Sequence, residues 1–374
     1  MLRILLVTEP SGGGSGRHVL DLGRGLSRVG HDVTVVWSPV RAEPRWVEAL
    51  VATNELKNVP IAMHRSIGGH DFESWRSLSR FVEETGPYDV LHGHSSKAGA
   101  LVRLLPCRIP GARVYTPHAF RTMDPNISKL ASIAFGGVER LLSLLGSNLI
   151  TVSSAEWSHA RTLGIDIHKL TTVINGVDTV DAPPRNHTRS QLGLSLDEVA
   201  VGFIGRFSAQ KDPIRFVHAI LDARRTNPKI IGVMIGDGEL GDAVRALAAG
   251  DGFRFTGWTD ARQLMPALDL LAMTSRYEAM PYVLLEALSA GLPIITTDVG
   301  GAAEVVEPGR NGVILQCDAS SAVIGAQIVR MSLDAKGLEA ASARSHELAT
   351  RFTVSEMVRG TNAVYGDGAS SKFG

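Results

Sequence analysis

The chain has 374 residues, of which 44% are hydrophobic and 20% charged, a composition typical of a globular enzyme and a length that predicts two domains. Its 38 basic residues balance its 38 acidic residues, so no overall field favours nucleic acid as a partner and any anion site must be local. Cys107 and Cys317 stand far apart without metal-binding neighbours, which argues against a disulfide framework or a cysteine zinc site.

The N-terminal run from Met1 to Thr8 is apolar. It is too short for the core of a signal peptide and is typical of a buried strand. No apolar run reaches the roughly 18 to 20 residues that a membrane-spanning helix needs. We therefore expect a cytoplasmic protein, which would touch a membrane only from its inner face.

Strand-like runs alternate with helical stretches in the first half of the chain, which predicts a parallel sheet with helices on both faces. The glycine-rich segment 11–16 follows the first strand and is predicted to be a loop. It fails the dinucleotide-binding spacing, because Arg17 and Val19 stand where a third glycine is required. The glycines still let a ligand approach the backbone, although a simple flexible turn is the alternative. The first predicted elements are a strand at 4–7, a helix at 17–29 and a strand at 32–37.

Histidines follow two later strands of the first half. His92 and His94 come at the end of one strand, with Lys97 shortly after, and His118 follows the next strand. Ligands of open α/β sheets bind at the carboxyl ends of the strands, so we expect these side chains to converge. For each histidine taken singly, a structural role is the alternative.

The helical stretch 127–146 is unusually apolar and contains only two basic residues, Lys129 and Arg140. Packing in a core is one interpretation of this pattern. The other interpretation is a surface that dips into a membrane interface, although such helices usually carry more cations.

A segment rich in proline and polar residues, at about 176–195, is predicted to be the linker between the domains. A second α/β unit begins at Val199, and Arg206 and Lys211 lie in the loop after its first strand. An arginine can clamp a diphosphate through two hydrogen bonds and a lysine adds a point charge, which suggests an anion site here. An ordinary solvated loop is the alternative.

The stretch 275–286 contains two carboxylates, Glu278 and Glu286, on either side of a tight Met-Pro-Tyr turn. A helix is predicted from about Val283 to Ala290, because Leu, Glu and Ala favour it and Gly-Leu-Pro ends it. The first-turn N–H groups of a helix attract phosphate, and flanking carboxylates accept hydrogen bonds from sugar hydroxyls. An acidic loop followed by an ordinary helix is the alternative.

In this order, these features resemble glycosyltransferase family 4, and the resemblance spans nearly the whole chain. It is similar in particular to bacterial enzymes that build exopolysaccharide, capsule or O-antigen. The resemblance implies the GT-B fold, an α/β architecture of two Rossmann-like domains that face a central cleft. The N-terminal acceptor domain would span 1–178, the donor domain 196–351, and a C-terminal helix at about 352–368 would cross back to the first domain. The segments that carry the resemblance are 12–16, 89–99, 116–118, 175–178, 205–211, 278–286, 300–301 and 351–352.

The resemblance also implies roles for individual residues. Glu278 would contact the donor sugar at the reacting centre, His118 would face that sugar from the first domain, and Glu286 would hold the ribose. Departures from the family pattern at Ala119 and at Ala279 leave the donor sugar undetermined. The remaining implied donor-binding residues are Arg206, Lys211, Met280, Pro281, Tyr282, Val283, Gly13 and Gly14, with 253–258 beside the base, and the acceptor-side candidates are His92, His94 and Lys97.

The activity implied by this resemblance is retaining transfer of a sugar from a UDP- or GDP-sugar to an acceptor hydroxyl, without a cofactor. No acidic pair stands out as a divalent-metal site, so we expect a metal-independent enzyme. The expected acceptor is a lipid-linked saccharide, with peripheral membrane contact, although a soluble acceptor stays open. Two alternatives remain: an epimerase or inverting transferase on the same fold, and a non-catalytic two-domain ligand-binding protein.

Overall fold

The computed structural model describes residues 1–250 and 252–370. The chain forms two compact units, each with its own core. Unit 1 comprises Met1–Gly176 and the C-terminal helix that begins at Val354, and unit 2 comprises Val177–Thr353. Each unit contains one parallel sheet flanked by helices, as the alternation of strands and helices predicts.

Within the described residues, unit 1 contains seven strands, and the strands between the two edges are mostly buried because helices cover the sheet. These strands are β1 (Arg3–Thr8), β2 (Asp32–Trp37), β3 (Lys57–Pro60), β4 (Val90–His94), β5 (Ala112–Thr116), β6 (Ser147–Thr151) and β7 (Leu170–Thr172). The sheet order is β3-β2-β1-β4-β5-β6-β7. The helices that precede the linker are α1 (Gly13–Arg28), α2 (Pro44–Val51), α3 (His70–Thr85), α4 (Ser95–Arg103), α5 (Lys129–Ser143) and α6 (Ser154–Thr162).

Three neighbouring strands of unit 1 end at the same level. Thr8 at the end of β1 pairs with His94 at the end of β4, and His94 pairs with Thr116 at the end of β5. The segments that follow these strands therefore start from one edge of the sheet, where ligands of such sheets bind.

The loop in the glycine-rich segment of unit 1 is shorter than predicted. The prediction of a loop through residue 16 is wrong. Helix α1 begins at Gly13, with Gly12 as its N-cap. A β-carbon on Gly12 would lie 2.4 Å from Cδ of Glu43, and Gly13 has a φ of 56°. Glycine is required here for the tight entry into the helix, and the other glycines form the first helical turn.

In the part of unit 2 that the structure describes there are six strands: β8 (Val199–Ile204), β9 (Ile230–Ile235), β10 (Phe253–Gly257), β11 (Leu270–Met273), β12 (Ile294–Thr297) and β13 (Gly312–Leu315). The sheet order is β10-β9-β8-β11-β12-β13. Phe203, Phe216, Ile230 and Leu270 are among the residues that build its core. The helices of unit 2 are α7 (Arg185–Gln191), α8 (Pro213–Arg224), α9 (Gly241–Leu247), α10 (Tyr282–Ser289), α11 (Ala302–Val305), α12 (Ser321–Ser332) and α13 (Ala335–Ala349).

The segment expected as a linker contains helix α7, which belongs to unit 2 and packs against other parts of it. Arg189 of α7 is buried and donates hydrogen bonds to the carbonyls of Ala267 and Glu198 and to the carboxylate of Asp269. A buried guanidinium is stable only when it is paired and bonded in this way. Polar residues of this segment therefore serve contacts within unit 2 as well as contact with solvent.

The last helix, α14 (Val354–Ser370), belongs to unit 1. It packs against α1 at Gly25, where an added β-carbon would lie 2.3 Å from Cγ2 of Val358. Its Tyr365 hydroxyl lies 2.7 Å from Nδ1 of His92 in β4. Among the helices within residues 1–250 and 252–370, none combines the length and apolar character needed to cross a bilayer.

Candidate active site

Helix α10 of unit 2 presents its N-terminus at the predicted donor site. Pro281 is its N-cap in an extended conformation, and Glu278 lies three residues earlier with its side chain buried. Glu286 lies on the second turn of the helix and is partly exposed. The first-turn N–H groups and the positive end of the helix dipole favour an anion at this end.

The loop after β8 brings Lys211 to Glu278. Lys211 Nζ lies 2.5 Å from Oε1 of Glu278. Hydrogen bonds to backbone carbonyls support this contact: the Thr274 hydroxyl donates to the carbonyls of Lys211 and Asp212, and the Arg276 N–H donates to the carbonyl of Gln210. Two residues that are 67 positions apart in sequence are thus held as one charged pair.

The residue after Lys211 fixes the shape of this loop. Asp212 adopts a left-handed backbone with φ of 51°, which is uncommon for a residue other than glycine. Its carboxylate accepts a bond from the Arg215 N–H at the start of α8 and pairs with Arg276 at 2.7 Å. Such strained backbone persists only where its surroundings impose it, and it occurs often at functional sites.

Two glycines after β12 let the chain approach the loop that carries Glu278. A β-carbon on Gly300 would lie 2.5 Å from the carbonyl oxygen of Glu278. Gly301 has φ of 83°, and its β-carbon would lie 2.4 Å from Sδ of Met280. The close packing behind Glu278 and Met280 therefore requires glycine at both positions.

Near Glu286 lies the segment that follows β10. Arg262 Nε is 3.9 Å from Oε1 of Glu286, and the same guanidinium bonds to both carboxylate oxygens of Asp260. Trp258, at the end of this strand, is 57% exposed. The structure thus brings Glu278, Lys211 and the start of α10 together and places the chain after β10 beside Glu286, while Arg206 is exposed in the loop that carries Lys211.

Unit 1 gathers four histidines, of which the sequence analysis named three. Nδ1 of His94 lies 3.1 Å from Nε2 of His118, and Nε2 of His92 lies 2.9 Å from the Thr116 hydroxyl. The fourth is His18, whose ring centroid is 4.6 Å from that of His118. The sequence did not single out His18, because this residue lies within an amphipathic helix. However, α1 starts at the sheet edge from which the other three histidines follow, and this position could have indicated that His18 joins them.

Burial keeps these imidazoles neutral. It lowers the pKa of His18 to about 4, against a weaker opposing effect of the hydrogen bond to Asn175. Burial also lowers the pKa values of His92, His94 and His118 well below their usual range, with further lowering from the neighbouring histidines. At neutral pH the cluster therefore offers hydrogen-bonding and metal-binding nitrogens rather than positive charge.

The backbone at His118 is strained and is held by a buried carboxylate. His118 and Ala119 have φ values of 53° and 79°. Oε1 of Glu156 accepts the Ala119 N–H at 2.7 Å, and Oε2 accepts the N–H of Val152 at 2.8 Å. Burial raises the pKa of Glu156 to about 7, despite the lowering effect of these two bonds.

Lys97 is not part of the histidine cluster. Its ammonium bonds to the carbonyl of Ser66 at 2.9 Å and pairs with the carboxylate of Asp71. Gly13 and Gly14, the other predicted residues of unit 1, lie in the first turn of α1, which also carries His18 on its next turn.

Two family models match the chain and together cover most of it. Residues 12–181 match the model described as Glycosyltransferase Family 4, and residues 198–334 match the one described as Glycosyl transferases group 1. The chain belongs to glycosyltransferase family 4. Its general activity is therefore that of a glycosyltransferase, and the non-catalytic alternative is set aside.

Relatives in several bacterial species support this assignment. Over 279 residues the chain is 27% identical to the Escherichia coli enzyme UDP-Gal:alpha-D-GlcNAc-diphosphoundecaprenol alpha-1,3-galactosyltransferase, covering 71% of each chain. It is also 27% identical to glycogen synthase of Mycobacterium tuberculosis, over 94% of this chain and 91% of that one.

Solved structures of glycosyltransferases confirm the GT-B fold. Anabaena HepE, solved in complex with UDP-glucose, superposes with a TM-score of 0.82 at 20% identity, over 99% of this chain and all of that one. WaaG, a glycosyltransferase involved in lipopolysaccharide biosynthesis, superposes with a TM-score of 0.73 at 16% identity, over 97% and 99% of the two chains.

Proposed function

We propose that the chain is a retaining glycosyltransferase that moves a sugar from a UDP-sugar to a hydroxyl of a lipid-linked saccharide, at the inner face of a bacterial membrane. The observation that carries the donor half of this proposal is the Lys211–Glu278 pair beside the N-terminus of α10. Similarity to a UDP-galactose-dependent enzyme and to a protein solved with UDP-glucose supports uracil over guanine as the donor base.

In this proposal the donor diphosphate lies at the start of α10. The first-turn N–H groups and Lys211 neutralise its charge, and Arg206 closes on it from the exposed loop after β8. Glu286 accepts hydrogen bonds from the ribose hydroxyls, and Glu278 accepts bonds from the donor sugar. Positive charge from side chains and helix dipole thereby takes the part that a divalent ion plays in other transferases.

Transfer then breaks the bond between the anomeric carbon and the diphosphate oxygen, and the electron pair leaves with the diphosphate. The acceptor oxygen bonds to the anomeric carbon on the same face, and its proton passes to the departing diphosphate oxygen. Stabilisation of the leaving charge by Lys211, Arg206 and the α10 N-terminus is the catalytic contribution of unit 2.

Helix α5 supports a membrane-bound acceptor, because its outward face exposes large apolar side chains. Its inward face carries Glu139, which pairs with the buried Arg103 at 2.8 Å. Its outward face carries large apolar side chains that are mostly exposed, namely Leu130, Ile133, Leu141 and, just after the helix, Leu144. A soluble surface rarely exposes such a continuous stripe, which is typical of an interaction site.

Charge complementarity favours an anionic lipid surface as the partner of α5. At roughly 100° per residue, Lys129 and Arg140 fall together along one edge of the apolar face. Both are exposed. Apolar side chains that enter the lipid boundary beside basic residues at the headgroups are the arrangement of interfacial helices. The E. coli relative, whose name gives an undecaprenol-linked acceptor, fits such a location.

The donor site is tested by calorimetric titration of the full chain with UDP, GDP and NAD, with and without EDTA. We expect selective binding of UDP, unchanged by EDTA. Lys211→Met should weaken UDP binding by about 10- to 150-fold, since a hydrogen bond to a charged group contributes roughly 1.5–3 kcal/mol. Lys229→Met, which removes an exposed lysine of unit 2, is the matched control and should bind normally.

Equal binding by Lys211→Met and the control would show that the donor site is misplaced. Selective binding of GDP would retain the site and change the base, whereas selective binding of NAD would remove the basis for a sugar donor altogether.

A further inference from the structure

We propose that His18, His94 and His118 form a binding site for a transition-metal ion of the zinc class. Each ring offers one nitrogen, and these three nitrogens lie within 4.8 Å of one another. His18 and His94 are buried and His118 is partly exposed, so the site has a wall of protein and an opening. All three residues belong to unit 1.

The spacing of the nitrogens is close to that of a metal site. With metal–nitrogen bonds of about 2.0–2.1 Å and tetrahedral angles, ligand nitrogens lie about 3.3 Å apart. His94 and His118 already have nitrogens 3.1 Å apart. The third nitrogen, from His18, lies within 4.8 Å of the other two.

Hydrogen bonds in the cluster orient a ligand set and leave one nitrogen unsatisfied. Nδ1 of His18 lies 2.9 Å from the side-chain oxygen of Asn175, which fixes the proton on Nδ1 and leaves Nε2 as the ligand. His94 contributes Nδ1, the nitrogen that faces Nε2 of His118. Its other nitrogen, the buried Nε2, has no hydrogen-bond partner within the described part of the chain and is not the ligand atom.

The chemistry of the set selects the class of ion. Three imidazoles without a carboxylate suit zinc, cobalt, nickel or copper and are poor ligands for magnesium or calcium, which prefer oxygen. The exposed side of His118 leaves an open coordination position for water or a ligand. His92 is excluded from the set because Tyr365 and Thr116 occupy both of its nitrogens.

This site goes beyond the proposed function and does not depend on it. No step of sugar transfer is assigned to the ion, and the charge of the donor diphosphate is neutralised by residues of unit 2. EDTA-insensitive UDP binding and a histidine metal site in unit 1 are therefore compatible.

Cobalt(II) is the probe, because its visible absorption reports coordination by nitrogen. The full chain, without a histidine tag and freed of metal by chelator dialysis, is titrated with Co²⁺ and then with Zn²⁺. We expect one Co²⁺ per chain with intense tetrahedral bands, displaced by one Zn²⁺. His18→Ala and His94→Ala should each lose the bands. His159→Ala, which removes another partly buried histidine of unit 1, should keep them.

Asn175→Ala keeps all three ligands and separates ligation from folding. It should bind Co²⁺ about 10- to 100-fold more weakly than the unchanged protein, as loss of an orienting partner does in metal sites. Thermal unfolding is measured for every variant. Binding of less than one ion per chain, unchanged bands in a folded His18→Ala variant, or unchanged Co²⁺ affinity in a folded Asn175→Ala variant would overturn the proposal.

Discussion

If α5 docks on a membrane, polar substitutions on its outward face should detach the chain from anionic vesicles without unfolding it. Ile133 and Leu141 are 73% and 66% exposed, so Ile133→Ser with Leu141→Ser removes little packing within the protein. Full burial of such a side chain contributes roughly 1.5–3 kcal/mol, and the exposed share of each corresponds to about 1–2 kcal/mol. The pair should therefore weaken vesicle binding by about 2–4 kcal/mol, or roughly 30- to 700-fold.

The assay is co-sedimentation with vesicles that contain phosphatidylglycerol, over a range of lipid concentrations. The matched control is Leu196→Ser with Leu333→Ser, two leucines of unit 2 that are 73% and 69% exposed. The control pair should bind vesicles normally, and both double variants should bind UDP normally. Equal losses in the two pairs, or no loss in the α5 pair, would refute the docking of this helix.

Three further substitutions test the packing of unit 1. Burial raises the pKa of Glu156 to about 7, so its protonated form stabilises the fold and this contribution is lost as pH rises from about 4.5 to 7. Glu156→Gln should remove most of this pH dependence, which amounts to about 2–3 kcal/mol in the free energy of unfolding. The free energy of unfolding is measured by urea denaturation at each pH. Arg103→Met should cost about 3–5 kcal/mol by removing the ion-pair partner of the buried Glu139, and adding Glu139→Leu should recover most of this loss; a loss that persists in the double variant would contradict this. Gly25→Leu should destabilise by at least about 1–3 kcal/mol through its clash with Val358, and an unchanged melting temperature would refute that contact.

The sequence predicted the architecture because its signals are local and repeated. Buried apolar strands, interrupted by helices with polar outer faces, leave few arrangements other than two parallel sheets. The start of α1 was misjudged because glycines usually mark loops, whereas here Gly13 to Gly16 are helical and only Gly12 serves as the cap. The buried Arg189 shows the same limit, since a polar segment rich in proline gives no sign of the carbonyls that will surround its guanidinium.

The candidate site was only partly predictable for a related reason. Glu278 and Lys211 stand in motifs that the sequence displays, and the structure joins them directly. His18 joins the other histidines only through the level at which β1, β4 and β5 end, which is a property of the folded sheet. Lys97 lies beside those histidines in sequence, yet Asp71 and Ser66 engage its ammonium.

The most direct test of the central claim is the anomeric configuration of the product, measured by NMR after incubation with a UDP-α-sugar and a polyprenyl-diphosphate saccharide. We expect a new glycosidic bond with the α configuration, formed in the presence of EDTA and lost in Lys211→Met. A β-linked product would show an inverting enzyme. Epimerised nucleotide-sugar formed without acceptor, and no transfer with it, would contradict the assignment of retaining transfer to this chain.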